Sequence, residues 1–318
     1  MRIVVLDGFT TDDGDPDTWD ALRAIGDLEV HPRTPAGRTA DRIRDAEIVF
    51  TNKVALNDSN LGPKTRYIGV LATGVNIVDL EAAKRRGIAV ANVPGYSTES
   101  VAQLVFALLL HLTHDVAGHN ADVKAGKWAA SPDFIFLNQK LAELNGKTFV
   151  IVGSGAIGSA VGRIAKAFGM RVIAARVPGA PPRADRMPLE EALPRADVVS
   201  LHCPLTEQTR NLADQKFLGL LKPSAILINT GRGPLLNEAD AIEALDRNRL
   251  GGLALDVLGG EPPPKDHPLL NARAPWARKV VVTPHIGWAT TEARLRLVQI
   301  AADNLRAFLK GESLNRVA

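Results

Sequence analysis

Three side chains of this sequence, a cation, a carboxylate and an imidazole, each follow a predicted strand. Arg232 follows I-N-T-G, Glu261 follows L-D-V-L-G-G, and His285 follows V-V-T-P. Because the carboxyl ends of parallel strands meet at one edge of a sheet, we expect the three side chains to lie beside one crevice. Each alone is equally compatible with a solvated Arg, a loop Glu before prolines or a His that caps a helix. The catalytic interpretation therefore depends on their convergence.

The chemistry that such a trio supports is hydride transfer to a 2-oxo acid. A guanidinium can hold a substrate carboxylate through two parallel hydrogen bonds and polarise the neighbouring carbonyl. An imidazole can donate a proton to the developing alkoxide, or remove one in the oxidative direction. A carboxylate on the other ring nitrogen can orient the imidazole and stabilise its protonated form. We therefore predict Arg232, Glu261 and His285 as catalytic residues, with Arg232 and His285 also contacting the substrate.

The stretch from Thr148 to Arg176 predicts a dinucleotide site. A β-branched strand at 149–152, a glycine-rich turn, a helix to residue 168 and a second strand at 172–174 follow one another. This is the context that a G-x-G-x-x-G fingerprint requires, because the turn and the helix N-terminus present backbone N–H groups to phosphates. The predicted phosphate-binding residues are Gly153, Gly155, Ala156, Ile157 and Gly158.

Strands alternate with helical stretches along the chain, which predicts an α/β fold with parallel sheets covered on both faces. Four strands are predicted in the first hundred residues, without a phosphate fingerprint, and six in the following part. Six strands with helical crossovers make a full doubly wound dinucleotide fold. We predict two domains, residues 1–98 with 287–318 and residues 99–286, with the last helix returning to the first domain.

The end of the second strand of the dinucleotide fold predicts the cofactor. NAD enzymes place Asp or Glu there to accept from the ribose 2′-hydroxyl, whereas a guanidinium would pair with a 2′-phosphate. Arg176 occupies the position, with no adjacent acid, and Arg183 and Arg186 follow in a Pro-rich loop. A solvated Arg is the competing interpretation. The sequence favours NADP(H), with NAD(H) as the alternative.

Composition limits the other classes of function. The 318 residues are enough for two domains, and 38 basic against 35 acidic residues give a net charge of +3. This near-balance predicts no nucleic-acid partner. A single cysteine, Cys203, and an N-terminus without a signal-peptide pattern favour the cytoplasm. No apolar run reaches the length of about 18 residues that a membrane span needs, so we predict no membrane association.

Two apolar stretches predict a further interface. A long helix is predicted from residue 100 to about 120, with a broad apolar face over 101–112, and an apolar loop occupies 134–137. Such surfaces are typical of contacts between domains or subunits, although the loop could equally fold back on its own domain. We expect a homodimer. The histidines of this helix have no thiol or carboxylate partner at ligand spacing, so we predict no metal site.

The segments I-N-T-G-R-G, A-L-D-V-L-G-G-E-P-P and T-P-H-I-G-W-A-T resemble the D-isomer-specific 2-hydroxyacid dehydrogenases, and the resemblance extends over essentially the whole chain. It implies a Rossmann domain inserted into a flavodoxin-like substrate domain, and catalytic roles for the Arg, Glu and His named above. It implies further cofactor contacts on the adenosine side and near the nicotinamide, by His202, Cys203, Pro204, Thr209, Thr230 and Asp256. It also implies a dimer.

The turn after the strand at 67–72 reads Thr73-Gly74-Val75. The residues alone favour an ordinary strand-to-helix turn. The family resemblance instead implies that the backbone around Thr73, Gly74 and Val75 holds the substrate carboxylate.

Further segments, V-L-A-T-G-V-N, N-V-P-G-Y-S-T-E-S-V-A-Q and S-P-D-F-I-F, resemble the branch of the family that reduces hydroxypyruvate or glyoxylate to the D-2-hydroxy acid. The chain departs from the family pattern at 137–140, which reads L-N-Q-K where related chains often have Trp-Asp and Pro. Another 2-oxo acid, such as the one that gives D-lactate, therefore stays open as the substrate. A non-catalytic NAD(P)-sensing protein, similar to the corepressors of this fold, is the alternative of a different class.

Overall fold

The computed structural model describes residues 1–318 and divides them into two compact units. The first unit comprises Met1–Ser97 and Trp288–Ala318, and the second comprises Thr98–Gly287. These boundaries lie one residue from those that the sequence predicts.

The first unit is built on a five-stranded, entirely parallel sheet with the order β2-β1-β3-β4-β5. This is the flavodoxin-like order. The sequence predicts four of these strands and misses β2, because D-L-E-V has no β-branched run and the strand is a half-exposed edge. The strands are β1 (Arg2–Val5), β2 (Asp27–Val30), β3 (Ile48–Thr51), β4 (Tyr67–Val70) and β5 (Ala89–Ala91).

Helices cover both faces of this sheet, so that successive strand residues enter different cores. Ile3 and Val5 pack in one apolar cluster, with Trp19 and Leu297, whereas Val4 packs in the other. The last helix closes the first unit as predicted, since Leu297 is fully buried there. The helices are α1 (Phe9–Asp12), α2 (Asp20–Arg23), α3 (Thr39–Ile43), α4 (Leu80–Arg85) and, after the second unit, α11 (Thr291–Leu309).

The second unit contains a six-stranded parallel sheet, and all six strands that the sequence predicts are present. Their order is β11-β10-β9-β8-β6-β7. β7 therefore lies on one side of β6 and all later strands lie on the other side, which puts a switch point between β6 and β8. Beyond β7 only a single parallel bridge, Ala175 to Met187, extends the sheet. The strands are β6 (Thr148–Val152), β7 (Arg171–Ala175), β8 (Val198–Leu201), β9 (Ile226–Asn229), β10 (Gly252–Leu255) and β11 (Val280–Val282).

The helix predicted over 100–120 is wrong as one continuous element. It breaks at Asp115, whose backbone is left-handed with φ of 44° and whose carboxylate accepts from the N–H of Gly118 at 3.1 Å. An Asp that caps a new helix in this way ends the previous one. The helices of the unit are α5 (Thr98–His114), α6 (Val116–Lys124), α7 (Ala156–Ala167), α8 (Leu189–Ala192), α9 (Gln215–Gly219) and α10 (Glu238–Asp246).

The apolar face of α5 packs partly within its own unit. Val105 and Leu109 are fully buried in an apolar cluster of the second unit, where α5 packs against α7, β9, β10 and β11. This packing accounts for the burial of Val105 and Leu109.

No single helix has the length and apolar character to cross a membrane. The pair α5 and α6, bent by 54° at Asp115, meets the criterion by length and composition only when the two helices are taken together.

Candidate active site

The glycine turn after β6 has the space and the backbone shape that a pyrophosphate needs. Gly153 has φ of +99°, and a Cβ there would lie 2.5 Å from the backbone N of Cys203. A Cβ on Gly158 would lie 2.1 Å from the carbonyl of Gly153, whereas one on Gly155 would meet nothing within 4 Å. Gly153 and Gly158 therefore serve close packing, and Gly155 leaves open space at the N-terminus of α7, which also carries Ala156 and Ile157. The residues present fit a dinucleotide.

Arg176 follows the last residue of β7 directly. Its backbone N–H donates to the carbonyl of Met187 at 2.8 Å, while its side chain is exposed and makes no ion pair. The two arginines that could assist it are engaged elsewhere. Arg183 and Arg186 both pair with Asp185, at 3.2 and 2.7 Å. Arg176 is thus the one guanidinium of this segment without a carboxylate partner.

The segment after β8 carries the residues expected on the adenosine side, His202, Cys203, Pro204 and Thr209. His202 Nε2 lies 2.8 Å from the hydroxyl of Ser200, and desolvation lowers the pKa of His202 to about 4, so its imidazole is neutral at pH 7. Burial raises the pKa of the Cys203 thiol to about 11, which makes a nucleophilic role unfavourable. Thr209 donates to the carbonyl of Pro204 at 2.7 Å and so holds the loop.

Glu261 and His285 form a close pair. His285 Nδ1 lies 2.7 Å from Oε2 of Glu261, and Oε1 of the same carboxylate accepts from the N–H of Leu258 at 3.1 Å. With Nδ1 facing a carboxylate, Nδ1 carries the proton and Nε2 is available to a ligand. Both side chains stay about one-third exposed, at 31% and 36%, so a substrate can reach the imidazole.

The backbone of His285 is left-handed, with φ of 56°, which is unfavourable for a residue with a Cβ. Buried Asp256 maintains this shape. Its carbonyl accepts from the N–H of His285 at 2.9 Å, and its carboxylate accepts from the N–H groups of Ile286 and Gly287 at 2.9 and 2.8 Å. The hydroxyl of Thr283 donates to the same carboxylate at 2.6 Å.

Burial raises the pKa of Asp256, and the hydrogen bonds from Thr283, Ile286 and Gly287 oppose that rise. The family resemblance implies that Asp256 lies near the nicotinamide. Its carboxylate contacts the chain around His285.

Arg232 lies in a turn that buried Asn229 holds. The amide of Asn229 donates to the carbonyl of Arg232 at 2.9 Å, and its oxygen accepts from the N–H of Gly231 at 3.1 Å. The guanidinium of Arg232 is exposed and donates only to the carbonyl of Gly231, at 2.8 Å, with no carboxylate partner. A Cβ on Gly233 would lie 1.9 Å from the carbonyl of Leu258, so this turn packs directly on the loop that carries Glu261. The structure therefore brings the Arg232 and Glu261 loops together.

A second Glu–His pair, which the sequence interpretation misses, supports the Glu261 loop. Glu238, the first residue of α10, accepts from the N–H of Gly259 at 2.8 Å and from His267 Nε2 at 3.0 Å. Gly259 and His267 lie 21 and 29 positions after Glu238 in the sequence, and no sequence spacing rule predicts such contacts. Only the folded structure reveals the pair. Near the same edge, the buried hydroxyl of Thr230 has no hydrogen-bond partner, which suits a polar group of a bound cofactor.

Thr73, Gly74 and Val75 follow the end of β4 in the first unit. The hydroxyl of Thr73 donates to the carbonyl of Val93 at 3.1 Å, and the carbonyl of Thr73 accepts from the amide of Asn92 at 2.7 Å. These two contacts define the turn, and Gly74 and Val75 are half-buried.

Nowhere in the chain do three or more His, Cys, Asp or Glu side chains gather closely enough to hold a metal ion.

The parallel-sheet fold, the glycine turn and the Arg232, Glu261 and His285 loops together define a nucleotide-dependent dehydrogenase of 2-hydroxy acids. The profile of the D-isomer specific 2-hydroxyacid dehydrogenase, NAD binding domain, matches residues 106–287. The chain belongs to this family, as the motifs predict.

Within the family the chain is similar over its full length to the hydroxypyruvate reductase of Blautia hydrogenotrophica, with 42% identity over 100% of this chain and 99% of the relative. It is 37% identical to the glycerate dehydrogenase of Methylorubrum extorquens, over 87% of each chain. Among solved structures, the TT0316 protein from Thermus thermophilus matches all of both chains with a TM-score of 0.86 and 37% identity.

Replacing Asp256 by Asn tests the anchor of the His285 turn. We expect the free energy of unfolding to fall by about 1–3 kcal/mol, because an amide can accept on only one side and sets an N–H₂ group against a backbone N–H. Reductase turnover should fall as well, since the left-handed backbone of His285 depends on the same contacts.

Asp41→Asn provides the control, because Asp41 is an exposed carboxylate whose partners are Arg38 and Arg44. Denaturant unfolding should move by no more than about 0.5 kcal/mol for this variant. Equal effects of the two substitutions would contradict the anchoring role of Asp256.

Proposed function

We propose that this protein is a reductase that transfers a hydride from NADPH to a small 2-oxo acid, hydroxypyruvate or glyoxylate, and gives the D-2-hydroxy acid in a reversible reaction. The observation that carries the proposal is the 2.7 Å contact between His285 Nδ1 and Glu261, which leaves Nε2 available to a substrate oxygen. The similarity over the full length to a relative named hydroxypyruvate reductase supports the substrate class.

His285 supplies the proton in this proposal. In the direction of reduction the imidazole is protonated, with its Nδ1–H donating to Glu261 and its Nε2–H donating to the carbonyl oxygen of the substrate. A dinucleotide held by the glycine turn would supply the hydride for the carbonyl carbon. As the oxygen gains negative charge, Nε2 gives up its proton, and the Nδ1–H bond to Glu261 keeps the ring in place. The oxidative reaction uses the same contacts in reverse.

Arg232 holds the substrate carboxylate and polarises the carbonyl, because its guanidinium is exposed and without a carboxylate partner. The backbone N–H groups around Thr73, Gly74 and Val75 provide the other carboxylate contact in the proposal. The first unit is then the substrate domain. Its turn at 73–75 is suited to the task because the side chain and the carbonyl of Thr73 are both occupied, which fixes the backbone.

The glycine turn and the N-terminus of α7 bind the pyrophosphate in the proposal, through Gly153, Gly155, Ala156, Ile157 and Gly158. Arg176 binds the 2′-phosphate, which makes NADP(H) the favoured cofactor. The support is the unpaired, exposed guanidinium at the end of β7, next to two arginines that both pair with Asp185. His202, Cys203, Pro204 and Thr209 line the adenosine, and Thr230 and Asp256 lie toward the nicotinamide.

A homodimer forms in the proposal through the segment 116–141. This segment exposes large apolar side chains that its own contacts do not cover: Val116, Val123, Trp128, Phe134, Ile135, Leu137 and Leu141. Phe134 is 86% exposed. The backbone beneath these side chains is nevertheless fixed, since Trp128 donates to the carbonyl of Phe134 at 2.9 Å and Asn138 contacts His119, Lys127 and Arg278. An ordered surface of this kind is typical of a subunit contact.

Substitutions at His285 and Glu261 test the chemistry. His285→Ala should lower kcat by about 10²–10⁴-fold in both directions while leaving dinucleotide affinity unchanged, because it removes only the proton donor. Glu261→Gln should lower kcat less, by about 10- to 100-fold, since an amide oxygen still accepts from Nδ1–H but no longer stabilises the imidazolium. Steady-state kinetics and dinucleotide titration provide the readouts. Near-normal turnover of His285→Ala would exclude the proton-transfer role.

A substrate panel with both dinucleotides tests the cofactor and substrate assignments. Hydroxypyruvate, glyoxylate and pyruvate should be reduced with a higher kcat/KM for NADPH than for NADH, with one of the first two preferred. Arg176→Ala should lower the NADPH-to-NADH ratio of kcat/KM by about tenfold or more, because a charge-assisted hydrogen bond contributes about 1.5–3 kcal/mol. Arg183→Ala is the matched control and should leave the ratio within about twofold. A preference for NADH in the unaltered enzyme would refute the NADP(H) assignment, and dinucleotide binding without any turnover would support a sensor.

Charged substitutions in the apolar segment test the dimer. Phe134→Asp and Ile135→Asp should produce monomers in size-exclusion chromatography with light scattering, because a buried, unpaired carboxylate at a subunit contact is costly. Leu295→Asp introduces the same change at a leucine that is 49% exposed on α11, and its oligomeric state should be unaffected. A monomeric parent protein, or a dimer that survives both substitutions, would refute the assignment of this surface.

A further inference from the structure

A cavity of about 440 Å³ opens at the carboxyl edge of the sheet in the first unit. Its walls come from the segments that follow β1, β2 and β3, with Phe9, Arg33, Thr34 and Lys53 among them. In the order β2-β1-β3-β4-β5, the chain adds β2 on one side of β1 and all later strands on the other side. Sheets of this order bind ligands at the resulting switch point between β1 and β3. The volume is in the range of small-molecule sites. None of Thr73, Gly74 and Val75 lines the cavity.

The basic residues at this cavity lack acidic partners. Of the twelve Lys and Arg residues in Met1–Ser97, eight form ion pairs with Asp or Glu, which leaves Arg33, Arg42, Lys53 and Lys84. Arg33 and Lys53 line the cavity. Arg42 donates to the carbonyl of Arg33 and to the hydroxyl of Thr34, another lining residue. Three of the four unpaired cations of this segment are thus gathered at one place, which creates a positive potential that attracts an anion.

The one acidic residue of the cavity, Asp7, offsets only part of the charge of the two lining cations, Arg33 and Lys53. The carboxylate of Asp7 accepts from the backbone N–H groups of Asn52, Lys53 and Val54, at 2.8, 2.5 and 3.1 Å. These contacts fix the loop after β3 and leave the ammonium group of Lys53 without an acceptor. Asp7 therefore shapes the cavity rather than pairing with its cations.

Two further features suit an organic anion. Thr39 lines the cavity, is fully buried, and has a hydroxyl with no hydrogen-bond partner. A buried polar group without a partner is unusual and is satisfied where a ligand or water reaches it. The guanidinium carbon of Arg33 lies 3.7 Å from the centroid of the Phe9 ring, which orients the cation beside an apolar wall.

We propose that this cavity binds a small organic anion, recognised through its carboxylate or phosphate oxygens by Arg33 and Lys53, with its carbon skeleton against Phe9 and a polar group facing Thr39. The site is built from residues of the first unit and includes none of the residues assigned to the proposed reaction.

Calorimetric titration of the full-length protein tests the site, with citrate as the carboxylate probe and inorganic phosphate as the phosphate probe. Saturating NADP⁺ or NAD⁺ is present, so that the glycine turn is occupied. We expect one equivalent of at least one probe to bind, and the probe that binds identifies the class of anion. Arg33→Ala and Lys53→Ala should each raise the Kd by about tenfold or more, as the loss of a charge-assisted hydrogen bond predicts.

Two control variants separate this site from other sources of anion affinity. Lys84→Ala removes the fourth unpaired cation of the segment, away from the cavity, and should change the Kd by less than about twofold. Arg232→Ala should also leave the Kd unchanged, because Arg232 belongs to the second unit. Thermal unfolding of each variant verifies that it is folded. Absence of saturable binding by both probes, equal weakening by Lys84→Ala, or loss of binding in Arg232→Ala would overturn the proposal.

Discussion

The candidate active site depends on the buried carboxylate of Asp256. The carboxylate of Asp256 accepts from Thr283, Ile286 and Gly287, and its backbone carbonyl accepts from the N–H of His285. These contacts maintain a left-handed backbone at His285 that would otherwise be unfavourable. A side chain on Gly287 would approach this carboxylate to 2.9 Å, so the turn requires glycine there. Hydrogen bonds from Thr283, Ile286 and Gly287 offset the cost of burying the charge of Asp256. The same contacts position the imidazole of His285.

The three candidate catalytic side chains follow strands that are neighbours in the sheet as well as in the chain. Arg232 follows β9, Glu261 follows β10 and His285 follows β11, and the order β11-β10-β9 places these strand ends side by side. Close packing then joins the loops, because Gly233 lies against the carbonyl of Leu258 and Glu238 holds Gly259. Backbone contacts between the loops thus set the positions of Arg232, Glu261 and His285. The guanidinium of Arg232 and Nε2 of His285 remain available to ligands.

Both sheets of the molecule have a point where the chain order reverses, and each presents chemistry suited to anions. In the second unit this point carries the glycine turn, where missing side chains admit a pyrophosphate to backbone N–H groups. In the first unit it carries a cavity with cationic side chains that lack acidic partners. The two solutions differ because the first sheet has no glycine-rich turn, so that side chains rather than backbone must supply the positive charge.

The sequence by itself determined the strands of the second sheet, the glycine turn and the residues that follow the strand ends, because these features depend on β-branched runs and on glycine within a few positions of one another. Tertiary structure decided what depends on contacts between distant residues. It packed α5 against α7 and the second sheet, joined the carboxylate of Asp256 to the N–H groups of Ile286 and Gly287, and paired Glu238 with His267. Such partners are chosen by packing and register, which local sequence patterns do not encode.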